Sequence, residues 1–325
     1  MKTLYGYRNL KNKLRDPIVA IGIFDGIHVG HKRVIKKVLS PRDSARDRVV
    51  MTFSPHPENV LRPRKTPPRI MSLEHRLLIF RKMGLDAAII LRFSRHFASM
   101  SPEDFVRLVL IGGIGTRTVY VGHDFHFGRG KSGNIRRFRE LGKKYGVEVR
   151  TVPPVKHRGR PVSSTWLRNL IKAGNIKRAE ILLRRPVSVL GTVVSGDKRG
   201  KVLGVPTANV DPHQEVMPPP GVYAVKIDID GRLCDGVLNI GFRPTFYGRR
   251  LKKRREPHIE AHVLGFDGDL YGRALEIFFI TKLRRERKFK SEERLKKQIE
   301  KDIAAARKLL DNEKVLKKIK KYKYL

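Results

Sequence analysis

Apolar and polar residues alternate in blocks along the first half of the chain. From residue 17 to residue 185, short and nearly all-apolar runs are separated by longer stretches in which apolar residues recur at helical spacing. Strands so apolar are typical of a parallel sheet that is covered by helices. The predicted strands are PIVAIGIF, RVVMTF, AAIILRF, TRTVYVG and VEVRTVPP, and the predicted helices are GHKRVIKKVL, SLEHRLLIFRKMG, SPEDFVRLVLIG, SGNIRRFRELGKKYG, SSTWLRNLIKAG and NIKRAEILLRR.

The pattern changes near Arg185. From PVSVLGTVV onward the apolar runs are short and rich in β-branched residues, and Gly/Pro turns separate them. This composition predicts a small antiparallel barrel, closed by the helix SEERLKKQIEKDIAAARKLL and followed by the basic tail KVLKKIKKYKYL. A chain of 325 residues is long for a single core. We therefore predict two domains, residues 1–185 and 186–325.

The net charge is strongly positive, because 71 Lys and Arg residues face 31 Asp and Glu residues, a balance of +40. Such a field attracts polyanions, either nucleic acid or phosphorylated small molecules. The basic residues are spread along the chain, however, and aromatic residues do not interleave with them as in a single-strand-binding platform. Charge alone carries no binding geometry, so we expect no specific nucleic-acid partner and favour a solvated basic surface.

The chain lacks the features of a membrane or secreted protein. It has no apolar stretch of about 18 residues, and the sequence before Pro17 has no apolar signal region. The single cysteine, Cys234, excludes an intramolecular disulfide and indicates a reducing compartment. We therefore expect a cytoplasmic protein with no membrane partner, and the sequence predicts no oligomeric state.

The stretch IGIFDGIHVGH contains two histidines, His28 and His31, where the first predicted strand gives way to a helix. Their three-residue spacing places both imidazoles on one helical face. Gly26 and Gly30 leave room for a ligand near the backbone, and the N-terminus of a helix favours an anion. Two imidazoles at this position can donate hydrogen bonds to a triphosphate. The stretch therefore favours a phosphate site.

Two other interpretations of this histidine pair remain open. A zinc site needs a third or fourth ligand, and His123 and His126 repeat the spacing without any neighbouring cysteine. Alternatively, the pair consists of ordinary surface or capping histidines.

Two further stretches of the first half carry polar groups suited to anions. GRGKSG, at residues 128–133, has Phe125 where a P-loop requires glycine, so we interpret it as a basic loop. Asp124, just before it, follows a strand end and is placed to orient a ligand. In SSTWLR, Ser163, Ser164 or Thr165 can cap a helix, and Arg168 lies on the same face as Ser164. Hydroxyl groups and a guanidinium at the N-terminus of a helix would together clamp a phosphate. A plain N-cap is the alternative.

In the second half, GDKRGKVLGVPTAN combines three glycines with two lysines. Glycines permit close approach of phosphates, and the Thr207 hydroxyl is suited to bind Mg²⁺. The Asn209 amide can accept hydrogen bonds from the same ligand sphere or donate to it. Glu260, in the alternating stretch HIEAHV, is a candidate general base for a substrate hydroxyl. The alternatives are a glycine-rich hairpin and an ordinary strand carboxylate.

Taken together, these stretches resemble the prokaryotic bifunctional riboflavin kinase/FAD synthetase family, from about Pro17 to Leu310. GIFDGIHVGH, TFSPHP, VGHDFHFG and SSTWLR are similar to the adenylyltransferase half, and GDKRGKVLGVPTAN, GVYAV, LNIGFRPTF, IEAHVLGFDGDLYG and KLRRERKF are similar to the kinase half. The resemblance implies a Rossmann-like domain followed by a six-stranded barrel. It also implies Mg²⁺-dependent phosphorylation of riboflavin by ATP to FMN, then adenylylation of FMN to FAD with release of pyrophosphate. Retention of only one activity, or nucleic-acid binding on this scaffold, are the alternatives.

The resemblance also implies roles for individual residues. Ile23 stands where the family often has Asn, and His123 where it often has Tyr or Asn. The implied catalytic residues are His28, His31, Arg168 and Glu260; those for nucleotide or phosphate are Gly22, Phe24, Gly30, Ser164, Thr165, Gly196, Lys201, Gly204 and Asn209; those for flavin are Asp124, Arg284 and Phe289; and those for Mg²⁺ are Thr207 and Asn209.

Overall fold

The computed structural model describes residues 1–40, 45–195, 205–244 and 255–311, except for the side chains of 242–244 and 255–257. Gly196, Lys201, Gly204 and the basic tail therefore lie outside the described residues. Contacts between Cα atoms divide the chain into two compact units. The first unit comprises Met1–Pro68 and Arg76–Ser164, and the second comprises Arg69–His75 together with the described part of Thr165–Leu325. This division lies before Arg185, where the sequence predicts the boundary between two activities. That functional boundary stays a prediction.

The first unit contains a six-stranded parallel sheet, which confirms the predicted α/β class. Its strands are arranged in the order β1-β4-β3-β2-β5-β6. The chain runs outward from β2 through β3 to β4, and then crosses to the other side of β2 for β5 and β6. The strands are β1 (Lys2–Tyr5), β2 (Ile18–Ile21), β3 (Arg48–Ser54), β4 (Ala87–Arg92), β5 (Thr118–Gly122) and β6 (Glu148–Val152).

Helices connect these strands, as the alternation of patterns predicts. Valines of the central strands pack with Phe105 and Phe138 in one core cluster. The helices are α1 (Val29–Leu39), α2 (Pro57–Leu61), α3 (Leu73–Lys82), α4 (Arg95–Ala98), α5 (Pro102–Asp104), a π-helix (Phe105–Ile114) and α6 (Ile135–Tyr145), with 3₁₀ turns at Pro63–Lys65 and Arg129–Lys131 and a small hairpin of β7 (Lys156–His157) and β8 (Arg160–Pro161).

Two elements of this unit differ from the sequence pattern. Strand β1 is not among the predicted strands, because KTLY is too short to show a period and pairs with β4 through its main chain. The stretch SPEDFVRLVLIG is largely a π-helix rather than an α-helix. Its Gly113 carbonyl accepts hydrogen bonds from the backbone N–H groups of Leu10 and Lys11, at 2.9 Å each. A Cβ at Gly113 would lie 2.3 Å from the Tyr7 carbonyl oxygen, so this close approach requires glycine.

The second unit contains a closed antiparallel barrel of six strands in the order β10-β13-β12-β11-β14-β9. This confirms the predicted barrel. The sequence of β10, ANVDP, contains no apolar run that would predict a strand. The strands are β9 (Ser188–Val194), β10 (Ala208–Pro212), β11 (Gly221–Ile229), β12 (Arg232–Pro244), β13 (Arg255–Val263) and β14 (Ala274–Arg284), preceded by α7 (Ser164–Lys172) and α8 (Ile176–Leu183) and followed by α9 (Glu292–Leu310).

Two further segments pack within the second unit. Ala306 and Leu310 of α9 join Val222 and Ala224 of β11 in a small core cluster, which confirms a closing helix. The segment Arg69–His75 contributes His75, which is fully buried. Its Nε2 atom lies 3.1 Å from Oε1 of Glu276 on β14 and 3.2 Å from Oγ of Ser188 on β9. These contacts explain why the segment belongs to the second unit.

Candidate active sites

The loop between β2 and α1 lies where the order of the parallel strands reverses, between β2 and β5. Open parallel sheets bind ligands at this position, at the carboxyl ends of the strands. His28 is the N-cap of α1, and its Nδ1 atom accepts hydrogen bonds from the N–H groups of Gly30 (3.2 Å) and His31 (3.4 Å). Because Nδ1 is an acceptor, the neutral ring carries its proton on Nε2. Nε2 is therefore the atom that can donate to an anion.

The His31 ring lies directly on the His28 ring. Their centroids are 3.8 Å apart and their planes differ by 18°. This is the shared face that the three-residue spacing predicts. His31 Nδ1 is buried and has no hydrogen-bond partner among the described residues. A buried nitrogen without a hydrogen bond destabilises the folded protein, so a ligand group that bonds to this nitrogen would remove that free-energy cost.

Both imidazoles are neutral at pH 7. Burial lowers the pKa of His28 to about 4, against a small opposing effect of the Asp124 carboxylate. Burial also lowers the pKa of His31 well below its usual range, and the neighbouring His28 and the positive charge of Arg76 lower it further. The pair therefore offers neutral hydrogen-bond donors, and positive charge for a phosphate must come from elsewhere.

Three residues close to the two histidines, Gly22, Phe24 and Gly30, determine how the histidine rings pack. A Cβ at Gly30 would lie 3.0 Å from the His28 ring, so glycine makes room for the cap. A Cβ at Gly22 would lie 2.9 Å from the ring of Phe24. Phe24 is 1% exposed and packs edge-on against His31. Any contact of Phe24 with a nucleotide would therefore use its main chain.

Two more predicted residues of the first unit lie near this loop. Ser164 Oγ donates to the carbonyl oxygen of Asp25 in this loop at 2.9 Å. Asp124 lies two residues after the end of β5, and its side chain is 82% exposed. Across the described ranges, His, Cys, Asp and Glu side chains form no group of three or more that could hold a metal ion. The zinc interpretation of His28 and His31 therefore finds no support there.

Thr165 and Arg168 belong to the second unit. Thr165 is exposed in the first turn of α7, and Arg168 is buried on the same helix. Their roles in a phosphate clamp stay predictions.

A polar row crosses three neighbouring strands of the barrel. Asn209 on β10 pairs in register with Glu260 on β13, and Glu260 pairs with Asn239 on β12. Side chains at directly paired positions lie on the same face of a sheet. The Oδ1 atom of Asn209 is buried and has no hydrogen-bond partner among the described residues. Thr207, two residues earlier, is exposed. The barrel thus brings an amide oxygen and a carboxylate together.

Two histidines flank Glu260 on β13. His258 Nε2 lies 2.9 Å from Glu260 Oε1. His262 Nδ1 donates to the carbonyl oxygen of Pro206 at 2.7 Å, just before Thr207. The sequence analysis did not single out Asn239, His258 or His262. The period-two alternation of HIEAHV carries the signal for both histidines, because residues two apart share a strand face.

The two predicted flavin residues lie at the end of β14 and beyond it. The Arg284 guanidinium binds the carboxylate of Asp302 on α9, with Nε at 3.0 Å from both oxygens and Nη2 at 2.8 Å from Oδ2. It also lies 5.6 Å from the ring centroid of Phe289, which Arg287 approaches at 4.8 Å. Arg284 and Phe289 are therefore neighbours, and Arg284 joins β14 to α9.

The fold and these sites define a nucleotide-binding α/β domain joined to a small kinase-type barrel. Residues 10–166 match the FAD synthetase family model, and residues 183–310 match the riboflavin kinase family model. The bifunctional riboflavin kinase/FMN adenylyltransferase of Pseudomonas fluorescens is 37% identical over 95% of this chain and 98% of its own. The Bacillus subtilis enzyme of the same name is 34% identical over 96% of this chain and 99% of its own. This chain belongs to the bifunctional riboflavin kinase/FMN adenylyltransferase family.

A solved structure shares this architecture. The crystal structure described as a macrolide-efflux protein from Streptococcus pneumoniae is similar with a TM-score of 0.77 and 28% identity, and the match covers 94% of this chain and 99% of that one. Among the helices of the described ranges, none has the length and apolar character needed to cross a membrane.

Proposed function

We propose that this protein makes FAD from riboflavin in two ATP-dependent steps, at two sites. In the first step, a ribityl hydroxyl of riboflavin attacks the γ-phosphorus of ATP, which gives FMN and ADP. In the second step, a phosphate oxygen of FMN attacks the α-phosphorus of a second ATP, which gives FAD and pyrophosphate. We assign the second step to residues 1–185 and the first to residues 186–325. The FAD synthetase and riboflavin kinase domains of the chain support both assignments.

Adenylyl transfer asks little covalent chemistry of the protein, so positioning and charge stabilisation carry it. Nε2–H of His28 donates to a phosphate oxygen of ATP, and the N-terminus of α1 adds its partial positive charge. His31 supports the His28 ring by stacking and offers its own nitrogen. Because both rings are neutral, Arg168 supplies the formal positive charge, and Ser164 and Thr165 complete the phosphate clamp.

The residues of the barrel fit a magnesium ion. Mg²⁺ prefers oxygen ligands. The buried Oδ1 of Asn209, which has no hydrogen-bond partner within the described ranges, is such a ligand, and the Thr207 hydroxyl lies two residues before it. When bound, Mg²⁺ neutralises charge on the transferring phosphates. Glu260 accepts the proton of the ribityl hydroxyl as general base. His258, hydrogen-bonded to its Oε1, holds the carboxylate in place.

The remaining assignments complete the proposal. Gly22, Phe24 and Gly30 shape the first nucleotide site, and Gly196, Lys201 and Gly204 contact ATP phosphates at the kinase site. Asp124 orients FMN, while Arg284 and Phe289 line the riboflavin site. The partners are ATP, riboflavin and FMN, with no specific nucleic acid, and the enzyme works in the cytoplasm.

The observation that carries this function is the presence of both sites in one chain: the stacked histidines at the switch point and the Asn209–Glu260 row of the barrel. The test is to incubate the protein with Mg-ATP and riboflavin, and separately with Mg-ATP and FMN, and to resolve the flavins by chromatography. We expect FMN to form in the first incubation and FAD to form in the second. Formation of neither FMN nor FAD from riboflavin contradicts the kinase assignment, and no FAD from FMN contradicts the adenylyltransferase assignment.

A further inference from the structure

Arg76 on α3 is a buried arginine that the sequence analysis did not single out. Its Nη1 atom donates to the carbonyl oxygen of Ile23 at 2.5 Å and to Oγ1 of Thr52 at 2.7 Å, and its Nη2 atom lies 3.5 Å from the carbonyl oxygen of Phe53. Thr52 Oγ1 donates in turn to the Ile23 carbonyl oxygen at 3.0 Å. A single guanidinium therefore joins the carboxyl end of β3 to the residue that opens the β2–α1 loop.

That loop is strained. Phe24 and Ile27 have φ angles of 56° and 43°, and neither is glycine. Such conformations persist only when the surrounding structure holds them, and they are common at functional sites. On one side Arg76 and Thr52 hold the Ile23 carbonyl. On the other side the Phe24 ring packs against His31, so the geometry fixed at Ile23 is passed on to the histidine pair.

The charge of Arg76 acts on the same pair. It lowers the pKa of His31, after the larger effect of burial and together with the effect of His28. The carboxylate of Asp124 acts in the opposite direction on the pKa of His28. Arg76 thus favours the neutral state in which a histidine nitrogen can either donate or accept.

We propose that Arg76 is a positioning residue for adenylyl transfer: through the Ile23 carbonyl it holds the strained β2–α1 loop in the conformation that aligns His28 and His31 with the ATP phosphates. The inference rests on the proposed adenylyl-transfer site. It also explains why isoleucine is acceptable at position 23, because the contact uses the main-chain oxygen and not the side chain.

Three variants separate geometry from charge. Arg76→Gln removes the charge and most of the hydrogen bonds, Arg76→Lys keeps the charge but loses the fork of donors, and Thr52→Val keeps the charge but removes one link to Ile23. Arg48→Gln is the matched control. Arg48 also forms a two-pronged contact, with Asp86 at 2.7 and 2.9 Å, but it lies at the opposite end of β3.

The measurements are kcat and KM for FAD formation from FMN, kcat for FMN formation from riboflavin, and the pKa of His31 from NMR of labelled histidine rings. Misplacement of reacting groups costs up to about 100-fold in rate. We expect kcat for FAD formation to fall about 100-fold in Arg76→Gln and about 10-fold in Arg76→Lys and Thr52→Val, with KM for ATP nearly unchanged. The pKa of His31 rises in Arg76→Gln only, and FMN formation is unaffected throughout.

The proposal is overturned if folded Arg76→Gln matches Arg48→Gln in kcat for FAD formation and leaves the pKa of His31 unchanged. If Arg76→Gln does not fold, Thr52→Val decides, and an unchanged kcat in that variant also overturns the proposal. His28→Ala separates this failure from that of the proposed function. Loss of FAD formation in His28→Ala with full activity in the Arg76 and Thr52 variants rejects only the role of Arg76, whereas full activity in His28→Ala rejects the site itself.

Discussion

The two candidate active sites are built in different ways. The site of the first unit depends on one irregular loop, where Phe24 and Ile27 adopt left-handed conformations and distant side chains such as Arg76 and Ser164 hold the backbone. In the barrel, strand register places Asn209, Glu260 and Asn239 together, because they occupy paired positions on neighbouring strands. The first site is therefore sensitive to changes far along the chain, whereas the second is secured by the sheet itself.

The largest expected effect is the loss of FMN formation at the barrel site, with FAD formation at the other site unchanged. Glu260→Gln removes the general base, which typically contributes 10²–10⁴-fold, so kcat for FMN formation falls by about that factor. FAD formation from FMN continues at the wild-type rate. Chromatographic flavin assays of both reactions check this, with Glu293→Gln on α9 as a control that leaves both rates unchanged. Equal loss of both reactions in folded Glu260→Gln would contradict separate sites.

The reciprocal change is His28→Ala. It removes the Nε2–H donor and the cap of α1, and loss of a preorganised donor costs about 10²–10³-fold in kcat. FAD formation from FMN should fall by about that factor while FMN formation from riboflavin is unchanged. His96→Ala, an exposed histidine of α4, is the control. A His28→Ala protein that is folded and still makes FAD at the wild-type rate would remove His28 from the site.

Burial of His28 also predicts how stability depends on pH. The pKa of His28 is about 4 in the folded protein and 6.5 in the unfolded chain. Between these values the unfolded state binds more protons, so the free energy of unfolding falls as the pH falls from 6.5 to 4 and is fully restored above 6.5. At about 1.4 kcal/mol per pKa unit, the loss is about 3 kcal/mol.

Urea unfolding of the wild type and of His28→Asn at pH 7, 5.5 and 4.5 measures this effect. Asn can replace the cap but does not titrate. The wild type should lose more stability on acidification than the variant does. Parallel losses in the two proteins would show that His28 is not buried in its neutral form.

The smallest expected effect is a modest fall in kcat for FMN formation, and it tests the role of His258 in the barrel site. His258→Phe removes the hydrogen bond to Glu260 Oε1, and a bond worth about 1 kcal/mol corresponds to about a 5-fold fall in kcat for FMN formation. FAD formation from FMN should not change. Steady-state kinetics of riboflavin phosphorylation provide the measurement, with His96→Phe for comparison. Indistinguishable rates in the two variants would mean that His258 does not hold the base.

Much of the fold follows from the hydrophobic pattern, because the apolar strands and helical faces of both domains are long enough to show a period. The hydrophobic pattern does not predict an element whose formation depends on tertiary contacts. Strand β1 forms through main-chain pairing with β4, and the π-helix forms where the Gly113 carbonyl accepts bonds from Leu10 and Lys11. The packing of Arg69–His75 with the barrel depends on contacts of His75 with residues more than a hundred positions away.

Some features of the two sites could likewise be predicted from the sequence, whereas others arise only from the folded structure. The spacing of His28 and His31 predicts their shared face, and the alternation in HIEAHV carries the signal for His258 and His262. The neutral state of the stacked rings could not be predicted, because it arises from their burial and from the charge of Arg76 on another helix. The family resemblance supplied the adenylyl-transfer role of His28 and His31, because their spacing alone predicts a phosphate site but no particular reaction.

The most direct test of two independent sites is a mixing experiment. Glu260→Gln and His28→Ala are each supplied with riboflavin and Mg-ATP, alone and together, and the flavins are resolved by chromatography over time. The account predicts very slow formation of FAD from Glu260→Gln alone, because little FMN is made, and accumulation of FMN with little FAD from His28→Ala alone. The mixture should form FAD much faster than either variant, because FMN released by His28→Ala is adenylylated by Glu260→Gln. A mixture of the two folded variants that makes no more FAD than the two variants make separately would contradict the account.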